Sequence, residues 1–363
     1  MLDSDASARR SGGASLTQRP VLGLDLGGTQ IRAAVVLADG STLGRVAAET
    51  PVADGRDAIV GRCIDALCAA RDAAPVGLAE RVEAVGISAP GPLDPVVGVI
   101  VDPPNLGAAF HDVPIAARVA DALGVPAFLD RDTVLAALAE WQFGAARECT
   151  DFLYVTVSTG IGGAVVSDGR LLRGPDGTAG EVGHVTVDAS GPKCGCGGVG
   201  HLEAVASGRA LARDAASAAS SGRSPALAAR AATLPDGPAG LSARDVADAE
   251  AAGDATAHEL MEHLRLTFAR ATVSWVDLFN PERLVVGGSI AEAEGERLLG
   301  AAARAIEREA FRAPARRARV VPATLGADVS LVGALPLVAS RLHEAATESV
   351  HPALVGESVA TRP

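Results

Sequence analysis

The chain has 363 residues, of which 48% are hydrophobic, enough to form the cores of about two domains. The formal net charge of −12 argues against nucleic acid or a membrane surface as a partner. No apolar run approaches the ~20 residues of a transmembrane helix. The five cysteines, an odd number, suit a reducing compartment better than a disulfide framework, so a cytoplasmic protein is predicted.

The first half of the chain predicts three strands followed by alternating helices and strands. Residues 1–19 contain no apolar stretch, so a disordered tail is expected there rather than a signal peptide. Hydrophobic patterning places strands at 21–26, 31–37, 43–48, 82–87 and 125–129, and helices at 57–73, 115–123 and 133–143.

The same order of elements, βββαβαβα, recurs in the second half. Strands are expected at 152–157, 164–167, 171–172, 284–286 and 318–321, and helices at 257–278, 291–309 and 330–343. The two halves predict α/β domains at 20–143 and 144–343, with a ligand cleft between them. The last helix is free to pack back on the first domain, and residues 344–363 are expected to be a flexible tail. Residues 222–256, rich in Ala, Gly, Ser and Pro, are assigned no chemistry.

Four possible metal ligands lie close together in residues 181–203. Two imidazoles and two thiols can close a tetrahedral zinc site; they are His184, Cys194, Cys196 and His201. The alternative is that each is an ordinary core or surface residue. Residues 195–200 also fit the dinucleotide pattern G-x-G-x-x-G, but that interpretation is rejected because no strand leads directly into them.

The stretch D-L-G-G-T at residues 25–29 places an acid near the end of an apolar strand, just before two glycines. Asp25 is either a local turn cap or a group that holds Mg²⁺, while the glycines let backbone N–H groups approach phosphate. A second glycine turn at residues 158–163, S-T-G-I-G-G, favours the phosphate interpretation. Gly287 and Gly288 follow another strand and either line an adenosine site or form a tight turn.

Asp132 comes just after a strand and begins a helix. Aspartate is a favoured helix N-cap, which is the simpler explanation. The carboxyl ends of strands are also where open α/β sheets bind ligands, so Asp132 is a candidate general base.

Taken together, residues 25–29, 160–163, 181–184 and 194–200 resemble the ROK family of sugar kinases and repressors, over about residues 20–343. The resemblance implies an actin-like ATPase fold of two ribonuclease-H-like domains with a cleft between them and a zinc-binding segment at 181–203. It also implies ATP, Mg²⁺ and a structural Zn²⁺ as cofactors, and a homodimer or homotetramer.

The resemblance also implies residue roles. Asp132 would be the catalytic base, and zinc would be held by the four ligands named above. The implied nucleotide and Mg²⁺ residues are Asp25, Gly27, Gly28, Thr29, Thr159, Gly160, Gly162, Gly163, Gly287 and Gly288. The implied sugar contacts are Gly91, Asn105, Arg131, Glu181, His184 and Glu203.

Two residues depart from the family pattern. His201 replaces a zinc cysteine and remains a competent ligand. Arg131 replaces an asparagine that hydrogen-bonds sugar hydroxyls, and it offers donors but no acceptor. If Arg131 points away from the sugar, glucose is the expected substrate; if it points inward, a modified hexose is expected.

The resulting prediction is an ATP-dependent kinase that phosphorylates the 6-hydroxyl of glucose or a close analogue. One alternative is an amino-hexose kinase, acting for example on kanosamine or an N-acylated hexosamine. Another is a non-catalytic sugar sensor or repressor of the same family. Repressors carry a helix-turn-helix ahead of the first strand, and only 20 residues precede Val21. The presence of both Asp25 and Asp132 argues against a sensor.

Overall fold

The structure, a computed structural model, describes residues 19–103 and 105–350. Its strands are β1 (Val21–Leu26), β2 (Gln30–Val36), β3 (Thr42–Glu49), β4 (Val85–Ala89), β5 (Leu93–Asp94), β6 (Val99–Ile100), β7 (Ala127–Arg131), β8 (Phe152–Val157), β9 (Ile161–Ser167), β10 (Arg170–Leu171), β11 (Arg283–Gly287) and β12 (Arg319–Pro322).

The first seven helices are α1 (Arg56–Asp72), α2 (Ile115–Leu123), α3 (Asp132–Phe143), α4 (Leu202–Ala206), α5 (Gly208–Ser220), α6 (Pro225–Ala231) and α7 (Ala243–Ala251). The later ones are α8 (Ala255–Phe279), α9 (Ser289–Glu294), α10 (Glu296–Glu309), α11 (Arg312–Arg317), α12 (Val329–Val332) and α13 (Ala334–Val350). Over the described ranges, none of these helices is both long and apolar enough to cross a bilayer.

The described residues form two compact units, one of residues 19–135 with 330–350 and one of residues 136–329. The first unit contains a sheet in the order β3-β2-β1-β4-β7. Its first three strands are antiparallel neighbours, whereas β1, β4 and β7 run parallel. The parallel strands therefore end at one edge of the sheet, which is where the chain between elements can present side chains to a ligand.

The second unit repeats this sheet in the order β10-β9-β8-β11-β12. Strands β8, β9 and β10 are antiparallel neighbours, and β8, β11 and β12 run parallel. The two units therefore contain sheets of the same strand order and the same strand directions. Each unit has its own hydrophobic core, dominated by Val, Leu, Ile and Ala because aromatic residues make up only 3% of the chain.

The final helices pack on β1 and β4 of the first unit because two glycines there lack side chains. Gly23 and Gly86 are neighbours in register on these strands. A Cβ atom at Gly23 would lie 2.8 Å from the carbonyl oxygen of Leu331, and one at Gly86 would lie 2.6 Å from Cα of Ala334. Helix α13 continues to Val350, so the first part of the predicted flexible tail is helical. The rest of that tail, and residues 1–18 of the predicted tail at 1–19, lie outside the described residues.

Several predicted boundaries were wrong. Strand β9 begins at Ile161, so the second glycine turn is only residues 158–160, because Gly162 and Gly163 extend the ladder opposite Thr156 and Val155. Outside the strands, Thr186 makes one isolated antiparallel bridge to His201. The predicted helix at 291–309 is divided into α9 and α10 at Gly295, whose φ of 51° is unfavourable for other residues.

The Ala-rich stretch at 222–256 is largely helical. Ser224 and Ser242 cap α6 and α7 by accepting from backbone N–H groups of the first turns. Residues 232–242, which include two prolines, separate the two helices. Leu227 and Val246 from these helices are fully buried in the core of the second unit.

Candidate functional site

The carboxyl edge of the first sheet collects the candidate residues of the first unit. Strand β1 leads into the glycine turn at 27–29, and β4 leads into the loop that contains Gly91. Strand β7 ends at Arg131, and Asp132 opens α3 immediately afterwards. These three strands are parallel neighbours, so the three connections lie side by side along one edge. The predicted placement of Asp132 at a strand-to-helix junction matches the structure.

Asp25 is held between its two neighbouring strands. One carboxylate oxygen accepts from Arg32 Nε at 3.1 Å and Nη2 at 2.5 Å, and the other accepts from Ser88 Oγ at 2.8 Å. Arg32 is the cross-strand partner of Asp25 on β2, and Ser88 is its partner on β4. The carboxylate is therefore oriented by three donors, which the simple turn-cap explanation does not require.

The glycine turn at 27–29 meets the candidate sugar residue Asn105. A Cβ atom at Gly28 would lie 2.8 Å from Cβ of Asn105, so only glycine allows this approach. The backbone closes the turn, since Gly27 N donates to Gln30 O at 3.0 Å, and Thr50 Oγ1 donates to Gly27 O at 2.7 Å. The structure thus brings a predicted phosphate loop and a predicted sugar contact together.

Residues 130–132 lie in three different environments. Asp130 is fully buried, with a carboxylate oxygen 3.8 Å from Nη2 of Arg341 on α13. Arg131 is only 5% exposed, and its aliphatic carbons pass close to Gly91, where a Cβ atom would lie 3.7 Å from Arg131 Cδ. Asp132 is exposed, and its carboxylate accepts from the Thr133 N–H at 2.7 Å. Of the three, Asp132 is therefore the accessible carboxylate.

The carboxyl edge of the second sheet carries the other glycine residues. The turn at 158–160 follows β8, and Gly287 ends the neighbouring parallel strand β11. Gly288 has a φ of 95°, and a Cβ atom there would lie 2.6 Å from the carbonyl oxygen of Val157. The hydroxyls of Ser158 and Ser289 are 2.9 Å apart. The two glycine segments are thus adjacent, as a phosphate or nucleoside site on one sheet edge requires.

The predicted metal ligands converge. One ring nitrogen each from His184 and His201 and the sulfurs of Cys194 and Cys196 all lie within 4.8 Å of one another. The two Nδ1 atoms are 3.4 Å apart, and Cys194 Sγ is 3.6 Å from His184 Nδ1. A tetrahedral Zn²⁺ with ordinary bond lengths separates two nitrogens by about 3.4 Å, and a nitrogen from a sulfur by about 3.6 Å. Cys196 Sγ lies somewhat closer, at 3.2 Å from His201 Nδ1. The donor set fits zinc.

The two predicted acids flank this cluster differently. Glu181 Oε2 lies 3.9 Å from Nε2 of His184, the ring nitrogen that faces away from the ligand cluster. At 3.9 Å the carboxylate lies beside the imidazole but beyond hydrogen-bonding distance of Nε2. Glu203 instead reaches the second glycine turn, where its Oε2 accepts from Ile161 N at 3.0 Å.

Sequence reasoning missed Arg32, Ser88 and Ser289. The hairpin register could have identified Arg32, because a short turn at 27–29 places it opposite Asp25. Ser88 and Ser289 became visible only when non-consecutive strands and turns were brought together by the fold.

The chain is similar over most of its length to known proteins. The model of the ROK family matches residues 21–341. A glucokinase from Thermotoga maritima is 32% identical over 322 residues, which cover 89% of this chain and 98% of the relative. An N-acetylmannosamine kinase from Shigella flexneri is 34% identical over 275 residues, covering 76% of this chain and 84% of the relative. The crystal structure of a ROK family glucokinase from Streptomyces griseus, in complex with glucose and AMPPNP, is similar with a TM-score of 0.72 at 33% identity. The matched region covers 88% of this chain and 98% of the Streptomyces griseus chain.

Proposed function

The chain belongs to the ROK family, and we propose that it transfers the γ-phosphoryl group of ATP to the 6-hydroxyl of a hexose, glucose or a close analogue. The observation that carries the proposal is Asp132, an exposed carboxylate between two buried residues at the carboxyl edge of a parallel sheet. The relatives named above, a glucokinase and a glucokinase bound to glucose and AMPPNP, support the substrate pair.

In this mechanism Asp132 accepts the proton of the attacking hydroxyl as the new oxygen–phosphorus bond forms. The bond from the γ-phosphorus to the bridging oxygen breaks, and ADP leaves with that oxygen. Asn105, Glu181, His184 and Glu203 orient the sugar by hydrogen bonds to its hydroxyls. The glycine segments at 27–29, 158–163 and 287–288 leave room for backbone N–H groups to approach the nucleotide. Catalysis then depends on position and charge rather than on a covalent intermediate.

Asp25 is the residue that would hold Mg²⁺, which when bound neutralises charge on the phosphates. A carboxylate offers about four lone-pair positions. Arg32 and Ser88 fill three of them, so the remaining capacity suits a metal-bound water better than a direct bond. Zinc would be held by His184, Cys194, Cys196 and His201, and it would supply structure rather than chemistry because all four tetrahedral positions are protein atoms.

A second candidate is an N-acylated or free amino-hexose as the substrate. Arg131 in place of the family asparagine favours it, as does the similarity to an N-acetylmannosamine kinase. A free ammonium group needs an acid, and Asp130 is buried beside Arg341, which leaves Glu181 and Glu203. An N-acylated sugar carries no such charge and is therefore the better fit of the two.

An assay that couples ADP formation to a panel of sugars tests the proposal. We expect ATP-dependent turnover with a hexose, and phosphorus–proton coupling in the product should identify the 6-position. Glucose, mannose, N-acetylated hexosamines and 3-amino-glucose form the panel. If sugars bind but none is phosphorylated, the chain is a sensor. Light scattering of the same preparation tests the proposed homodimer or homotetramer.

A further inference from the structure

The segment that carries the metal ligands is attached directly to the second glycine turn. The Glu203 carboxylate accepts from the Ile161 N–H at 3.0 Å. The same carboxylate lies across the open face of Gly160, where a Cβ atom would collide with it. Glu203 is two residues beyond the ligand His201, at the start of α4. A side chain expected to contact sugar therefore also fixes a backbone group of the phosphate turn.

The chain after Glu203 adds two backbone hydrogen bonds to the turn. Gly208 N donates to Ser158 O at 2.9 Å, and Arg209 N donates to Thr159 O at 3.0 Å. These bonds occupy the carbonyl oxygens of the turn, whereas Glu203 occupies the N–H of Ile161. The turn is thus held from both its donor and its acceptor side by one short stretch of chain.

The chain that enters the metal segment packs against the same turn. A Cβ atom at Gly183 would collide with the Ile161 carbonyl, and one at Gly163 would lie 2.6 Å from a Val182 methyl group. Gly183 directly precedes the ligand His184. The chain before His184 and the chain after His201 therefore both pack against the turn, and a metal bound by these two ligands would hold them together. Leu202 N also donates to Val185 O at 2.9 Å, which joins the same two stretches.

We propose that Glu203 is a positioning residue for nucleotide binding, and that the metal site fixes the turn at 158–160 through the bond between Glu203 and Ile161, the residue that follows the turn. This inference rests on the proposed function in so far as that turn receives the nucleotide phosphates. The metal would then be needed for nucleotide affinity even when no sugar is present. A residue and a metal that served only the sugar would leave nucleotide affinity unchanged.

The negative charge of Glu203 distinguishes a geometric role from an electrostatic one. A carboxylate beside a phosphate-binding turn repels the ligand, so its contribution there is geometric rather than electrostatic. Glu203→Gln keeps an oxygen that can accept from Ile161 N and removes the repulsion. Glu203→Ala removes the acceptor as well. The two variants should therefore differ in nucleotide affinity, and Glu203→Gln should bind the nucleotide more tightly than Glu203→Ala.

The test is calorimetric titration of AMPPNP in the absence of sugar. We expect Glu203→Ala to weaken binding by up to roughly tenfold, because a turn that has lost this hydrogen bond must be ordered when the nucleotide binds. Glu203→Gln should bind at least as tightly as the wild type, and removal of the metal by chelation and dialysis should weaken binding at least as much as Glu203→Ala. Glu259→Ala, which removes an exposed glutamate from α8, is the matched control and should bind as the wild type does.

Hydrogen exchange of the peptide that contains residues 158–163 provides a readout independent of any ligand. Exchange should accelerate in Glu203→Ala and in metal-free protein, but not in Glu203→Gln or the control. Unchanged AMPPNP affinity in Glu203→Ala would overturn the inference and leave the kinase proposal intact. If AMPPNP binds tightly and its affinity depends on Glu203, but no hexose is phosphorylated, the inference is supported and the kinase proposal is refuted. Absence of AMPPNP binding by the wild type would overturn both.

Discussion

At the scale of single residues, Asp130, Arg131 and Asp132 show how position decides chemistry. The first two end a buried strand and are themselves buried, whereas the third opens a helix and is exposed. Because a carboxylate must reach the substrate hydroxyl to accept its proton, only Asp132 suits that role.

Asp132→Asn should retain the fold and lose most of the activity. Asparagine keeps the size and the capping ability of aspartate but cannot accept the proton, so kcat should fall by roughly 100-fold or more. Steady-state kinetics with ATP and the best hexose measure kcat, and a melting curve checks that the variant is folded. Asp121→Asn, on the exposed face of α2, is the matched control. Near-normal turnover in Asp132→Asn would remove Asp132 from the mechanism.

Arg131→Asn introduces the residue that the family resemblance implies at this position and should change the order of sugar preference. Arginine presents donors only, whereas asparagine presents a donor and an acceptor, so hydroxyl recognition must differ. The kcat/KM values for glucose, mannose and N-acetylated hexosamines should shift toward glucose by at least several-fold. Because the Arg131 stem passes over Gly91, unfolding is measured in parallel. An unchanged ranking would show that Arg131 does not set specificity.

At the scale of elements, a buried arginine joins three helices of the second unit. Arg265 on α8 donates to both carboxylate oxygens of Glu250 on α7, at 2.9 and 2.7 Å. Its Nε donates to Glu294 on α9. Burial acts to raise the pKa of the Glu250 carboxyl, but hydrogen bonds from Arg265 and His258 outweigh it and hold that pKa below its ordinary value.

Glu250→Gln should therefore lower stability in a pH-dependent way. A carboxyl whose pKa is lower in the folded state contributes stability above its unfolded pKa, about 4.5, and loses it as the pH falls through the folded value. Urea unfolding should show the largest difference from the wild type at neutral pH and a smaller one below about pH 4. Removing Arg265 instead should cost about 3–5 kcal/mol, because two buried carboxylates remain. Glu259→Gln should show neither effect; a pH-independent difference in Glu250→Gln would contradict the pKa argument.

Gly86 and Gly61 offer a matched pair in the first unit. Alanine at Gly86 would collide with the backbone of Ala334, so Gly86→Ala should destabilise by about 1–3 kcal/mol. Gly61 lies within α1 with no atom near its open face, so Gly61→Ala should stabilise by about 0.5–1 kcal/mol. Denaturant titration compares the two. Equal effects would show that the close packing of α13 on β4 is not needed.

At the scale of the whole molecule, metal content is the property to measure. We expect one zinc per chain, because one four-donor cluster is present among the described residues. Elemental analysis of protein purified without a chelator measures it. Cys196→Ser should lose metal and melt at a lower temperature, since a metal that binds the folded but not the unfolded chain stabilises the fold. Cys68→Ser, at a partly buried position outside the cluster, is the control. A metal-free wild type would refute the site.

Much of this protein follows from its sequence. Alternating apolar segments and glycine turns predicted the order of strands and helices in both halves of the chain, because the period of two in strands and of about 3.6 in helices is a local property. The ROK resemblance is confirmed by the match over residues 21–341. The sequence also singled out His184, Cys194, Cys196 and His201, since their donor atoms must lie near one another on a short segment.

Tertiary structure decided what depends on contacts between distant residues. Only strand pairing shows that Arg32 and Ser88 orient Asp25 from opposite sides. Only packing buries Asp130 and Arg131 while it leaves Asp132 exposed, because the environment of a strand end is set by its neighbouring strands and helices. The contact of Glu203 with Ile161 joins residues more than forty positions apart. No local pattern specifies such a contact, which is one of several that link the metal segment to the glycine turn.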